Sequence, residues 1–299
     1  AAVNIFDAYT ADLVEQGVLS KAYSSSAGDD VQAQINEIRN MMSEGYDAIV
    51  CIAASATGLQ SVLEEAAERG IVVVCCDTTV DSDLVYNVNT DQFEYGRLLA
   101  QSLADRMGGE GNILWIKGIE GNQVTLDRTE GMQSVLDNYP GIKVLGDGYG
   151  KWDDSTTASV MSNLMSAYAS QGIDGILSEG GGGHAIVQSL VENGIDPATV
   201  PISEGEMFNS FMKDWVEMDL DAFCTAQPPY LAAAAVDVAL KVLNGEEVEP
   251  MTYVDLPTCS SKEEAEEKWY QPDQEGGFVC DWTDNNNTWN LTIEDVAPN

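Results

Sequence analysis

Short apolar runs of strand length alternate along the chain with segments whose apolar residues recur every three to four positions. The runs predict strands at Ser20–Ser24, Ala48–Ile52, Val72–Asp77, Leu84–Val88, Asn112–Lys117, Lys143–Tyr149, Gly175–Glu179, Val200–Glu204 and Ala222–Gln227. Between them lie helical patterns with recognisable ends. Val31, Ile35, Ile38 and Met42 share one face of a helix opened by Asp29-Asp30 and closed by Gly45. Leu59, Val62, Leu63, Ala66 and Ala67 mark a second, which stops at Gly70. Further helices are predicted over 93–107, 128–138, 156–168, 185–193 and 229–244. Val3, Phe6, Tyr9 and Leu13 fit a helix at the chain's beginning, with no strand before it.

Alternation of strand and helix predicts an α/β fold with parallel sheets covered on both faces. Ligands of such sheets bind outside the carboxyl ends of the strands. The residues to inspect are therefore Ala53 to Ser55, Asp77 to Thr79, Gly118 to Arg128, Trp152 to Asp154, Gly180 to His184, Gly205-Glu206 and Gln227.

Composition narrows the classes. At 299 residues and 44% hydrophobic, the chain can bury the cores of two domains. Fifty acidic residues against 13 basic ones, net −37, make nucleic acid an unsuitable partner. The charge suits a protein crowded outside a cell; a proteome of acidic habit would give the same composition. No apolar run is long enough to span a membrane, and the first residues lack the basic and apolar regions of a signal peptide. Of six cysteines, Cys51, Cys75, Cys76 and Cys224 sit in strand-like runs as small hydrophobes. Cys259 and Cys280 lie in a polar segment where a disulfide is an option in an oxidising compartment. No CxxC spacing points to zinc.

Individual residues suggest binding chemistry. Asp77 ends an apolar run, where a carboxylate can accept two hydroxyl hydrogen bonds; a cap or hinge turn is the alternative. Arg128 follows a polar loop, and its fork of donors suits vicinal hydroxyls or a carboxylate, or a surface ion pair with Asp127 or Glu130. Trp152, set among polar residues, offers a flat face to a sugar ring or anchors its own loop. Gly180-Gly181-Gly182-Gly183 invites an anion-nest reading, but no Gly-Lys-Ser/Thr follows, and a tight strand-to-helix turn is favoured. His184 is the only histidine, so no Ser-His-Asp order or histidine metal group can be built; the reading is not an enzyme, with no cofactor and no metal. Two Asn-x-Thr sequons, at Asn286 and Asn290, read as chance in an asparagine-rich tail.

The strand-end residues, taken together, resemble a known family. Gln34 to Met42 with Gly45 to Val50, Asp77-Thr78-Thr79, Asn89-Thr90-Asp91, Gly118 to Gly121 with Asp127 to Gly131, and Ala226-Gln227-Pro228-Pro229 are similar to type 1 periplasmic binding proteins of the ribose-binding group. The resemblance covers residues 1 to about 250. It implies two Rossmann-like lobes joined by three hinge crossings: 1–90 plus 228–255, and 91–227 plus 256–299. It implies a sugar or similar small polar ligand held between the lobes and delivered to the membrane subunits of an ABC importer. It also implies an extracytoplasmic monomer, periplasmic or anchored as a surface lipoprotein. Carried over by position, Asp77, Thr78, Arg128, Trp152, Glu206 and Gln227 are the ligand residues. Departures are plain: Ile52 and Ala53 stand where the family often has Asn and Pro, and Thr78 replaces its arginine. The family's opening strand is missing, and the expectation is that further residues precede Ala1. A receptor's sensor lobe and a lac-repressor-like regulator share this core and are the alternative functions; the regulator would need a DNA-binding headpiece.

Overall fold

The computed structural model describes residues 2–28 and 30–277. Two compact units form: residues 2–90 with 228–255, and residues 91–227 with 256–277. The chain passes between them after Thr90, Gln227 and Asp255.

The first unit is built on four parallel strands in the order β1 (Ala48–Cys51), β2 (Val72–Cys76), β3 (Tyr86–Asn89) and β9 (Met251–Tyr253). Helices α2 (Val31–Glu44) and α3 (Ala56–Glu68) cover one face. The Asp30 carboxylate accepts from Ala33 N–H at 3.0 Å and starts α2; Gly45, at φ 73°, ends it as only a residue without Cβ does at no cost. Ile38, Leu59, Val62 and Leu63 then meet Ile49, Val73 and Cys75, the alternate residues of the strands. Helix α9 (Leu231–Leu243) packs on β1, β2 and β3, and its buried Ala232-Ala233-Ala234-Ala235 lets it lie close. Helix α1 (Ala2–Glu15) packs on α9, where the Tyr9 hydroxyl donates to Asp237 Oδ1. Its buried face is Ile5, Thr10 and Leu13, while Val3 is exposed.

The predicted strand at Ser20–Ser24 does not form. Its residues are irregular and mostly exposed, and β1 ends the sheet order with β2 as its neighbour. An isolated short segment gains nothing from extension unless a partner strand takes up its N–H and C=O groups. The segment does not pair with β1.

The second unit carries six strands in the order β10 (Thr258–Cys259), β8 (Ala222–Thr225), β7 (Ile202–Gly205), β6 (Gly175–Ser178), β4 (Glu110–Lys117) and β5 (Gly141–Tyr149). All pairs are parallel except β10 with β8. Both faces are covered, and β4 shows why its run is continuously apolar. Ile113 and Trp115 face α4 (Gln92–Arg106) and α5 (Gln123–Leu136), with Tyr95, Leu99 and Met132. Leu114 and Ile116 face α6 (Asp154–Tyr168), α7 (Gly183–Glu192) and α8 (Asn209–Met218), with Met161, Ile186 and Phe211. Helix α8 and strands β9 and β10 were not anticipated from the sequence pattern. Cys259 is a free, fully buried thiol whose Sγ donates to Ser261 O at 3.6 Å; Cys280 and both sequons lie outside the described residues.

Candidate functional site

The strand ends are the site's foundation, and the backbone there is unusual. Among the described residues, five non-glycine residues have positive φ: Asp77, Lys151, Trp152, Glu206 and Asp219. Three of these five are sequence-predicted ligand residues, each just past the carboxyl end of a strand. Left-handed backbone costs a residue with a Cβ about 1 kcal/mol or more, and such strain concentrates at functional sites.

In the first unit, β2 ends at Cys76 and Asp77 turns at φ 65°. Thr78 N–H donates to Cys76 O at 2.8 Å, closing the γ-turn with positive φ at its centre, which is rare. The Asn89 amide donates to Asp77 O at 2.7 Å, and Asp77 N–H to Val88 O at 3.2 Å, so the strained turn is held from β3. The Asp77 side chain is exposed and Thr78 half-buried.

In the second unit the centre is Arg128, buried inside α5 rather than at its start and not in a surface pair with Asp127 or Glu130. Nε donates to Gln92 Oε1 at 2.8 Å and Nη1 to Glu179 O at 2.9 Å, and Nη2 lies 3.7 Å from Glu206 Oε1. The guanidinium carbon lies 3.6 Å from the Tyr95 ring centroid and 5.9 Å from that of Trp152. Gln92 passes the bond on, its amide donating to Gln227 Oε1 at 2.9 Å. Tyr95 receives Glu206 N–H at 3.1 Å, and its hydroxyl reaches Glu206 Oε1 at 3.3 Å. Arg128, Trp152, Glu206 and Gln227 are thus gathered in one unit; Asp77 and Thr78 belong to the other.

Two carboxyls complete this environment and were not singled out from the sequence. Glu179, after β6, is fully buried and accepts from Gly118 N–H and the Thr129 hydroxyl, both at 2.9 Å. Burial pushes it up to about 7, although those hydrogen bonds and Arg128 pull it down. Glu204, in β7, is also fully buried; burial raises it to about 8 against hydrogen bonds from Ser178 and the backbone of Gly182 and Gly183. Their signal was an acidic residue closing an apolar strand, at Leu177-Ser178-Glu179 and Ile202-Ser203-Glu204.

Trp152 is packed against two glycines, Gly118 on its indole and Gly181 on its backbone. A Cβ on Gly118 would stand 2.5 Å from its Nε1, and one on Gly181 would stand 2.4 Å from the Trp152 backbone. Its Nε1 is buried without a hydrogen-bond partner among the described residues. His184 is turned to α8, its Nδ1 2.6 Å from Asp214 Oδ2. Among the described residues no three His, Cys, Asp or Glu side chains are placed to hold a metal ion, and no helix is long and apolar enough to cross a membrane.

Residues 2–247 match the model of the periplasmic binding protein domain. The chain belongs to that family. Among curated relatives of this binding protein, a xylitol-binding protein of Mycolicibacterium smegmatis is 31% identical over 172 residues, 57% of this chain and 49% of the relative. A multiple sugar-binding periplasmic receptor of Rhizobium radiobacter is 30% identical over 168 residues, 50% of this chain and 48% of its own. The chain spans about half the length of these relatives. Among solved structures, an ABC transporter solute-binding protein of Actinobacillus succinogenes with bound D-allose superposes at TM-score 0.75, with 20% identity over 89% of this chain and 94% of that one. The arabinose-transporter binding protein of Shewanella sp. ANA-3 gives 0.75 and 24% identity over 88% of each. These likenesses establish the type 1 binding-protein fold.

Proposed function

We propose that this chain is an extracytoplasmic solute-binding protein that captures a neutral sugar or sugar alcohol and passes it to an ABC importer. The observation that carries the reading is Arg128: a buried guanidinium stacked on Tyr95, with Nη2 directed near Glu206, beside Trp152 and Gln227. A fixed planar fork next to carboxylates and an aromatic face is the chemistry that pairs donors and acceptors with vicinal hydroxyls. Asp77 and Thr78 at the strand end of the first unit are proposed as ligand positions on the same reasoning. Relatives named for xylitol, xylose and multiple sugars support the ligand class.

The test is isothermal calorimetry with xylitol, xylose, allose, arabinose, fructose and myo-inositol, alongside native mass spectrometry of protein purified without refolding. Saturable heat with at least one polyol is expected. No heat from any of them and no co-purified mass would overturn the reading. A fructose-binding periplasmic domain of a hybrid two-component system shares the fold at TM-score 0.72 and 19% identity, which favours a sensor domain as the second reading. Stimulation of an importer's ATPase by the liganded protein separates the two.

A further inference from the structure

The glycine turn that opens α7 has the composition of an anion nest, and the N–H groups of Gly180 to Gly183 and of Ala185 are directed at the protein itself. Gly180 N–H donates to Ser178 Oγ at 3.2 Å and Gly181 N–H to Gly205 O at 3.2 Å. Gly182 N–H donates to Glu204 Oε1 at 3.1 Å, and the Gly183 backbone also hydrogen-bonds Glu204. Ala185 N–H, in the first turn of α7, donates to Asp154 Oδ1 at 2.9 Å. These are the groups a helix start would otherwise present to a phosphate or carboxylate.

Packing agrees. A Cβ on Gly180 would lie 2.5 Å from Gly205 O, on Gly182 2.3 Å from Thr157 Oγ1, and on Gly183 2.6 Å from the Phe211 ring. The glycines are therefore required for approach between protein segments, not for approach of a ligand. The charge balance points the same way. Arg128 already has the Glu206 carboxylate 3.7 Å from Nη2, and its Nη1 is taken by the Glu179 main-chain oxygen at 2.9 Å.

We propose that Glu204 is a specificity-determining positioning residue: with Asp154 it takes the donors of the α7 turn, so the strand-end site admits neutral polyhydroxyl ligands and rejects their phosphate esters and acids. The specificity half of this rests on the sugar-binding reading; the donor half does not.

Two arms test it. In the first, thermal unfolding of wild type, Glu204→Ala and Glu204→Gln is followed in formate against chloride at equal ionic strength. Formate is small enough to replace the deleted carboxyl, so Glu204→Ala should gain about 2–4 °C. Wild type and Glu204→Gln, whose amide oxygen keeps the Gly182 bond, should gain nothing. A folded Glu204→Ala without the gain, or wild type with it, overturns the assignment. In the second, calorimetry compares the best neutral ligand with its phosphate monoester on wild-type protein. The ester should bind at least about 100-fold more weakly, because a dianion would meet Glu206 beside Arg128 and a turn whose donors at Gly182, Gly183 and Ala185 are already engaged. Comparable affinity overturns the specificity, and this arm stands even if Glu204→Ala does not fold. Failure of every neutral sugar would sink the functional reading alone, leaving the formate result intact.

Discussion

The guanidinium of Arg128 rests 3.6 Å from the centroid of the Tyr95 ring while the Tyr95 hydroxyl reaches Glu206, so one phenol both stacks the cation and tethers its counter-charge. Burial holds the Tyr95 hydroxyl well above its ordinary range, so it stays a donor. Arg128→Lys keeps the charge but loses the planar fork and the stack. Its ligand affinity should fall by about 2–3 kcal/mol, roughly 30- to 150-fold. Tyr95→Phe, which keeps the stack and loses the tether, should cost only about tenfold. Calorimetry on the two variants checks the order; equal losses would contradict it.

Asp77 separates binding from stability. At φ 65° its backbone suits glycine better than aspartate. Asp77→Gly should therefore keep or slightly raise the melting temperature, by relieving about 1 kcal/mol of strain, and weaken ligand binding by at least about tenfold. Unchanged affinity in this variant would remove Asp77 from the site.

Stability should decline from mildly acidic to alkaline pH. Glu204 titrates at about 8 in the native protein against 4.5 when unperturbed, and Glu179 at about 7. The native state therefore binds more protons than the unfolded chain between those values. The stabilisation is complete below about 4.5 and is lost as pH rises through 7 and 8. The net charge of −37 acts in the same direction by self-repulsion, so the comparison is with Glu204→Gln, which mimics the protonated side chain. Denaturant midpoints across pH 5 to 9 should fall less steeply in the variant; parallel slopes would exclude Glu204 as the source.

Gly96 and Gly131 let α4 and α5 touch. A Cβ on Gly96 would stand 2.0 Å from Arg128 O, and one on Gly131 would stand 2.0 Å from Phe93 O. On helix propensity alone, alanine at either site would stabilise by about 1 kcal/mol. The contact should reverse the sign, giving a loss of about 1–3 kcal/mol by chemical denaturation. Gly96→Ala should also weaken ligand binding, because it displaces the backbone of Arg128.

Apolar periodicity and helix caps are local properties, so the alternation of strand and helix, the turns at Gly45, Gly70 and Gly194, and the positions just past the strands were all legible in the chain. Asp77, Arg128, Trp152, Glu206 and Gln227 could be named because their place relative to a strand or loop is readable in sequence order. Tertiary structure decided what pairing and burial alone can set. Ser20–Ser24 reads as a strand in the sequence yet stays irregular, because a strand exists only with a neighbour to take its hydrogen bonds. Glu179 and Glu204 look like ordinary strand-end acids until burial raises them and points one into a glycine turn. Arg128 became the centre of a buried hydrogen-bonded cluster because α4 brings Tyr95 and Gln92 to it across 33 and 36 residues of chain, a juxtaposition that no local pattern encodes.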